Sequence, residues 1–312
     1  MANDYYDLTE VAKINDRNVA DLDLSDILEE APALAQMAAV TASNGTTHKW
    51  LKQTASPSVG FRSVNDGREN DHSEDTIVSS DLKILDASLS VDKSVADSYI
   101  GGSDAFLARE AARHLKTALF NAEKQIFNGT VHGDAAGFSG LADVADYNGA
   151  SDAQVVDAGG TTGSTGSSVW LLRSSPDEIA VVLGENGEIA MSDPQLQRIA
   201  GSSTGFLPAY FVSVTGWITL QYASTYSAVR IANLTEDSGK GLTDDLIYEA
   251  LSKFPAGKDP NVIVCNRRSA KQLRASRTAT NPTGSSAPRV TEVEGIPIVV
   301  TDSILSTETL LS

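Results

Sequence analysis

The stretch Ser103–Gly129, SDAFLAREAARHLKTALFNAEKQIFNG, decides how the rest of the chain is read. Leu107, Ala111, Leu115, Ala118, Leu119, Ala122 and Ile126 recur at helical spacing and form one apolar stripe. Ser103 is placed to cap the first turn, with Asp104 favourable near the positive end of the helix dipole. Asn128-Gly129 supplies a stop, because glycine accepts the left-handed backbone that ends a helix. No Pro or Gly interrupts the interior, so at 1.5 Å per residue the rod is about 39 Å long. Its stripe is too rich in Ala and too irregular for a coiled-coil seam. The pattern predicts one long helix over 103–128 packed against sheet, with Leu107, Leu115, Leu119 and Ile126 as core positions.

The 312 residues, 41% of them hydrophobic, can bury a substantial core in one large or two intertwined domains. No apolar run approaches 18 residues, so no membrane-spanning helix is expected. The opening MANDYYDLTEVAKINDRN is polar and acidic, which is not the pattern of a secretory signal. One cysteine, Cys265, excludes a disulfide framework and fits folding in a reducing cytoplasm. Net charge is −17, and no cluster of Lys and Arg stands out that would neutralise phosphates in a specific nucleic-acid site. Contact with DNA is therefore expected to be weak and indifferent to sequence.

Upstream of the helix, residues 1–45 hold an acidic arm (Asp4, Asp7, Glu10, Asp16 and others) and then APALAQMAAV. THKWLKQ and SVGFRSV read as extended, the tract Asn65–Asp75 is charged, and TIVSSDLKILD returns as a second limb. Two limbs around a polar tip bury too little surface to hold a shape alone. Such a loop is either disordered or held by other subunits. Leu89, Val91 and Val95 then lead into the helix at strand-like spacing.

Downstream, AGGTTGSTGSS (158–168) reads as a flexible connector. VWLLR is a short strand, and Asn186-Gly187 between IAVVLGE and EIAM signals a type I′ hairpin. The alternation from Tyr210 to Tyr222 predicts one strand of about 43 Å, kinked or bulged at Gly216. Thr243 caps a helix running to Phe254 and ended by Pro255; strand VIVC (262–265) feeds the N-cap Asn266 and helix RRSAKQLRAS. GIPIVVTDSIL closes the chain as strand.

The chemistry search excludes more than it finds. Gly201–Gly205 matches the letters G-x-S-x-G, but Pro208 and a strand follow where a nucleophile elbow needs a helix. His48, His72, His114 and His132 lie apart, none with a ligand partner at three or four residues, so no metal site is expected. His114, one turn after Glu110, reads as a helix-surface pair, and Cys265 as a buried small hydrophobe. Neither a Rossmann fingerprint nor a phosphate loop is present, and no cofactor is expected.

The order of GFRSVN (60–65), LKILDASLSVDKSVAD (82–97), the long helix, GFSGL (137–141) and GIPIVV (295–300) resembles the tailed-bacteriophage major capsid proteins of the Hong Kong 97 fold. The resemblance spans roughly residues 50–300. It implies an α+β Hong Kong 97-like capsid fold with N-arm, extended loop, peripheral domain with long spine helix, and axial domain. The parts would be an N-arm at 1–45, an extended loop at 46–86, and a peripheral domain at 87–150 with spine helix 103–128. An axial domain would follow at 151–290, with 206–233 as candidate peripheral strands, and a C-terminal strand segment at 291–312. Trp50, Phe61, Arg62, Arg68, Glu69 and Asp71 on the loop would contact neighbouring subunits.

The function so implied is structural, not enzymatic: self-assembly through hexamers and pentamers into the icosahedral head of a tailed double-stranded DNA phage. The shell would form in the host cytoplasm, become part of the virion, enclose the genome and need no membrane. Many relatives carry a scaffolding-like region ahead of the arm that this chain lacks, so a separate scaffolding protein and a portal are expected partners, with a decoration protein as a further one. An encapsulin-type compartment shell is the alternative within the fold. Outside it stands an acidic β-rich enzyme or carbohydrate-binding protein.

Overall fold

The computed structural model describes residues 30–69, 71–184, 189–201, 205–281 and 285–312. Besides three short 3-10 turns, its elements begin with strands β1 (Ala38–Thr41), β2 (Thr47–Ala55), β3 (Glu74–Asp81), β4 (Lys83–Asp86) and β5 (Leu89–Asp92), the short helix α1 (Lys93–Asp97) and the long helix α2 (Ser103–His132). Strands β6 (Val155–Asp157), β7 (Ser167–Leu172), β8 (Ile179–Leu183), β9 (Ala190–Met191), β10 (Gln195–Ala200), β11 (Phe206–Val212), β12 (Val214–Tyr222) and β13 (Ala228–Leu234) follow. Helix α3 (Asp244–Ser252), β14 (Val262–Cys265), helix α4 (Arg267–Ala279), β15 (Glu292–Val293) and β16 (Ile296–Val300) complete the described elements.

Helix α2 starts one residue earlier than a Ser103 cap requires. Gly102, at φ 86°, turns the chain into the helix, and Ser103 is already helical with no side-chain cap before it. The stop is where the sequence put it: Gly129 breaks the helical run at φ 58°, ψ −154°, and one further turn reaches His132. A side chain at that position would be strained, and it would also collide with the Asp143 carboxylate. That carboxylate accepts hydrogen bonds from Thr130 N (2.7 Å) and Gly140 N (3.0 Å), so the break is pinned from outside the helix.

Two cores share α2. Phe106, Leu107 and Ala111 pack with Leu89, Val91 and Val212 at one end, and Ala122, Ile126 and Phe127 pack with Trp170, Leu172 and Ile218 at the other. Leu115 falls between the two cores and is 36% exposed, so it is not the core residue that periodicity predicts. Leu119 is half-buried. His114 bonds to the carbonyl of Ala87 (3.1 Å), whereas Glu110 is held by Arg113 (3.1 Å).

The six-stranded sheet runs β15-β16-β14-β7-β13-β6. All residues of β7, β13 and β14 are buried, as expected of strands covered on both faces. Val169, Leu171, Val229 and Ile231 face α3 and α4, while Trp170, Leu172 and Val264 face the α2 side. Thr243 and Asn266 cap α3 and α4 as expected, accepting from Leu246 N (3.3 Å) and Ser269 N (2.8 Å). Cys265 is buried here, and burial pushes its thiol pKa up to about 12.

Three further expectations fail. The 210–222 alternation is two strands in two sheets: β11 pairs with β10 and β5, and β12 pairs with β8, β4 and β9. At the switch, Ser213 N donates to Ser192 Oγ (2.9 Å) and Ser213 O accepts from Ser192 N (2.9 Å), so a residue outside both sheets takes its ladder bonds. Strand β9 pairs with β12, not with β8; Asn186-Gly187 lies outside the described residues, as do residues 202–204 of Gly201–Gly205.

The 158–168 connector is fastened rather than free. Gly160 N donates to Asn233 O (3.1 Å), Thr161 N and Thr162 N to Asp237 Oδ2 (both 3.1 Å), and Thr162 Oγ1 to Asp237 Oδ1 (2.6 Å).

Two measurements check this account. Leu107→Ala should cost about 2–5 kcal/mol in denaturant unfolding of the subunit, and Leu115→Ala less than about 1 kcal/mol. Bonds from the Thr162 hydroxyl and the Thr161 amide lower the Asp237 pKa below its ordinary value, so its contribution is complete above about pH 4 and is lost as pH falls further. Amide exchange at Thr161 and Thr162 should accelerate in Asp237→Ala, and the difference from wild type should shrink at acid pH.

Candidate assembly interface

Strands β2 and β3 form a separate two-stranded ribbon whose register pairs Trp50 with Val78 and Leu51 with Ile77. Because side chains alternate across a strand, His48, Trp50, Val78 and Ser80 share one face, and Leu51 and Ile77 share the other. The first face is bolted to the body at its root. His48 Nε2 lies 2.8 Å from Gln221 Oε1, and Ser80 Oγ lies 2.7 Å from Thr219 Oγ1. Ser43 N donates to His48 Nδ1 (3.1 Å), so in the neutral ring the proton sits on Nε2 and is given to Gln221. Trp50 stacks on His48 (5.6 Å) and meets the edge of Tyr222 (6.2 Å).

Among the described residues, nothing covers the opposite face. Leu51 and Ile77 sit directly opposed and are 70% and 66% exposed. Beyond Ala55 the expected strand SVGFRSV is absent; residues 56–69 and 71–73 run without strand structure. Phe61 stands clear of the protein at 109% exposure, with Val59 and Val64 also exposed. What local order exists is polar: Arg68 donates to Gly60 O (3.1 Å) and Ser58 Oγ (2.7 Å), and Arg62 to Asp66 O (3.1 Å). Covering a side chain of the size of Leu or Phe is worth about 1.5–3 kcal/mol. Exposed apolar surface on this ribbon is therefore a candidate contact surface.

Of the residues expected to face neighbours, Phe61, Arg62, Arg68, Glu69 and Asp71 lie together on this exposed tip. Trp50 does not belong with them, since it is half-buried at the root against its own chain. Sequence reading missed Leu51 and Ile77. Their signal was the alternation itself, which puts Leu51 on the face opposite Trp50. A second exposed apolar pair, Ile84 opposite Trp217, continues onto the β4–β12 sheet.

A long helix shared by two cores, a bolted ribbon and a body with several short sheets fit the Hong Kong 97-like capsid fold that the sequence resembles. The family model of major capsid protein GP7 matches residues 18–312, and the chain belongs to that family. Its fold is similar to that of a chain in the structure of bacteriophage Epsilon15, with a TM-score of 0.75 at 21% identity, covering 100% of this chain and 98% of that one. The bacteriophage JBD30 capsid is less similar, with a TM-score of 0.48 at 10% identity over 94% of this chain and 98% of that one. The SrpI encapsulin of Synechococcus elongatus gives a TM-score of 0.42 at 11% identity over 74% of this chain and 96% of that one. A comparison with curated proteins returns no match. The protein is a major capsid protein, a subunit of a phage head shell.

Melting of the unassembled subunit separates root from tip. Trp50→Ala should lower the melting temperature, because it empties the joint between ribbon and body. Phe61→Ala should leave it within about 1 °C of wild type, as expected for a side chain without intramolecular contacts.

Proposed function

We propose that the 46–86 ribbon is the extended loop through which each subunit clasps a neighbour, and that this clasp drives closure of hexamers and pentamers into an icosahedral head around double-stranded DNA. The observation that carries the reading is the uncovered Leu51–Ile77 pair with Phe61 beyond it. In a ring of heterologous contacts the same surface is used at every joint, so a small contact is multiplied around the capsomer.

Residues 1–45 serve as the N-arm on this reading, 87–150 as the peripheral domain with its spine helix, and 151–290 as the axial domain. Pairing of β11 with β5 supports giving 206–222 to the peripheral part. Strand β13 lies inside the six-stranded sheet, which supports keeping 228–234 axial and joining the 291–312 segment to it through β15 and β16. The protein acts as a structural component and not as an enzyme, and it assembles in the host cytoplasm. A separate scaffolding protein, a portal and a decoration protein are its proposed partners, and packaged DNA is touched without reading sequence. A net charge of −17 supports weak DNA contact, because like charges repel the phosphates.

Replacing residues 56–73 by a short Gly/Ser turn tests the clasp. The variant should melt like wild type, sediment as monomers or small oligomers, and show no closed shells by electron microscopy. Normal particles from it would remove the loop from assembly. Wild-type particles that enclose a protein cargo instead of DNA would move the protein to the encapsulin reading.

A further inference from the structure

Helix α4 gathers charge in a way that composition hides. Five of its 13 residues are Arg or Lys and none is acidic, in a chain with 24 basic and 41 acidic residues. Two of the five are used internally: Arg268 donates to Thr165 O (2.7 Å) and Leu234 O (3.1 Å), and Arg277 pairs with Asp244 (2.6 Å). Arg267, Lys271 and Arg274, at i, i+4 and i+7, share the face turned away from Ser269 and Leu273, and all three are exposed. Arg274 uses one nitrogen on Ala287 O (2.8 Å), and neither Arg267 nor Lys271 has a polar partner among the described residues. A one-sided row of unpaired cations in an acidic protein is a surface awaiting an anionic partner.

That partner is written in the same chain. Residues 4–30 contain nine acidic side chains against Lys13 and Arg17 alone. Their attachment point lies on the α2 side of the six-stranded sheet, across from α4, and a relay of hydrogen bonds connects it to the strand that precedes the helix. Leu34 N donates to Glu123 Oε2 (2.8 Å), Glu123 accepts from Thr301, and Thr301 N donates to the carbonyl of Cys265, two residues before α4 (2.9 Å). A chain of 29 residues reaches up to about 95 Å, whereas a 13-residue helix is about 20 Å long. Reach is therefore no obstacle, on the same subunit or on the next.

We propose that the basic face of α4, carried by Arg267, Lys271 and Arg274, docks the acidic N-terminal segment, residues 4–29, of this protein. A DNA duplex fits the same face less well. It would also cover neighbouring α3, whose exposed Asp245 and Glu249 would meet its densely spaced phosphates. A single peptide strand can follow the α4 row and miss α3. The proposal goes beyond the clasp and is independent of it, because it is read in unassembled protein as well as in shells.

Zero-length carbodiimide coupling of the full-length protein tests the docking. The reagent joins the Lys271 amine to a carboxylate in contact with it, and mass spectrometry identifies the linked peptides. Links from Lys271 to acidic residues of 4–29 should form at low salt and fall about tenfold near 1 M salt, where the screening length is about 3 Å. Arg267→Glu should weaken the links, and adding Asp23→Lys and Asp26→Lys to it should restore them at the remaining carboxylates of the segment. All three changes should leave the melting curve unaltered, and mixing isotope-labelled with unlabelled subunits tells whether the segment docks on its own copy or on the next. Links to carboxylates elsewhere only, no recovery on charge swapping, or protection of Lys271 by a DNA oligonucleotide in protein lacking residues 4–29 as fully as in wild type would each overturn the proposal.

Discussion

One buried carboxylate holds the body together. Glu123 is fully buried in the second half of α2, a position that is costly for a charge without partners. It has three. Leu34 N reaches it at 2.8 Å, Ser303 Oγ at 2.8 Å, and the Thr301 hydroxyl completes the set. Charge-assisted bonds of this kind are stronger than neutral ones, and each donor here comes from a different stretch of chain or a different residue of the closing segment. The helix, the segment leading to β1 and the segment following β16 are thereby fixed relative to one another. Asn128, five residues on, repeats the hold by donating to Ser303 O (2.8 Å).

A second polar knot lies across the six-stranded sheet from α3 and α4. Arg230, buried in β13, donates to Glu308 (3.0 Å), Ser168 Oγ (2.9 Å) and Tyr147 O (3.0 Å), with its guanidinium 5.1 Å from the Trp170 ring. Breaking such a pair leaves a buried charge unmet, which costs far more than the intact pair contributes. The two knots share one logic. Residues 301–311 bury only Ile304 fully among their large apolar side chains, so hydrogen bonds to groups that are already immobile supply the rest of their hold. The result is a body that is rigid where α2 meets the sheet and bare where the ribbon leaves it.

Legibility follows from where the information sits. Thr243, Asn266 and Gly129 act within a few residues of themselves, so the helix limits around them were readable; VIVC was readable because burial on both faces demands a continuous apolar run. Apart from the Ser103 cap, displaced by its neighbour Gly102, these failures involve a partner distant in sequence. Nothing between 158 and 168 announces that Asp237 will take its amides. The 210–222 alternation is sound on each side of Ser213, and only Ser192 shows why one run serves two sheets. Leu115 keeps helical phase with its neighbours and still finds no core, because phase says which side a residue is on and not what lies there. The candidate contact surface was half legible for the same reason: its polar tip was visible as composition, whereas the Leu51–Ile77 pair needed the register of β2 on β3.

Charge sets the terms on which such subunits can associate. At −17 each, two copies repel beyond contact range, and salt at physiological strength confines that repulsion to roughly 8 Å. Attraction must then come from contacts that are short-ranged and local. On the proposed clasp, uncovered Leu51, Ile77 and Phe61 supply the apolar kind, and the tip adds both signs of charge, Arg62 and Arg68 beside Asp66, Glu69 and Asp71. On that proposal the ribbon associates weakly in pairs, because one covered ribbon barely offsets the repulsion and the lost freedom of two bodies. In a closed ring each subunit makes and receives the contact, so association becomes favourable only when many are formed together. Weak joints that succeed collectively are what a shell requires, since a wrongly placed subunit can leave before the ring closes.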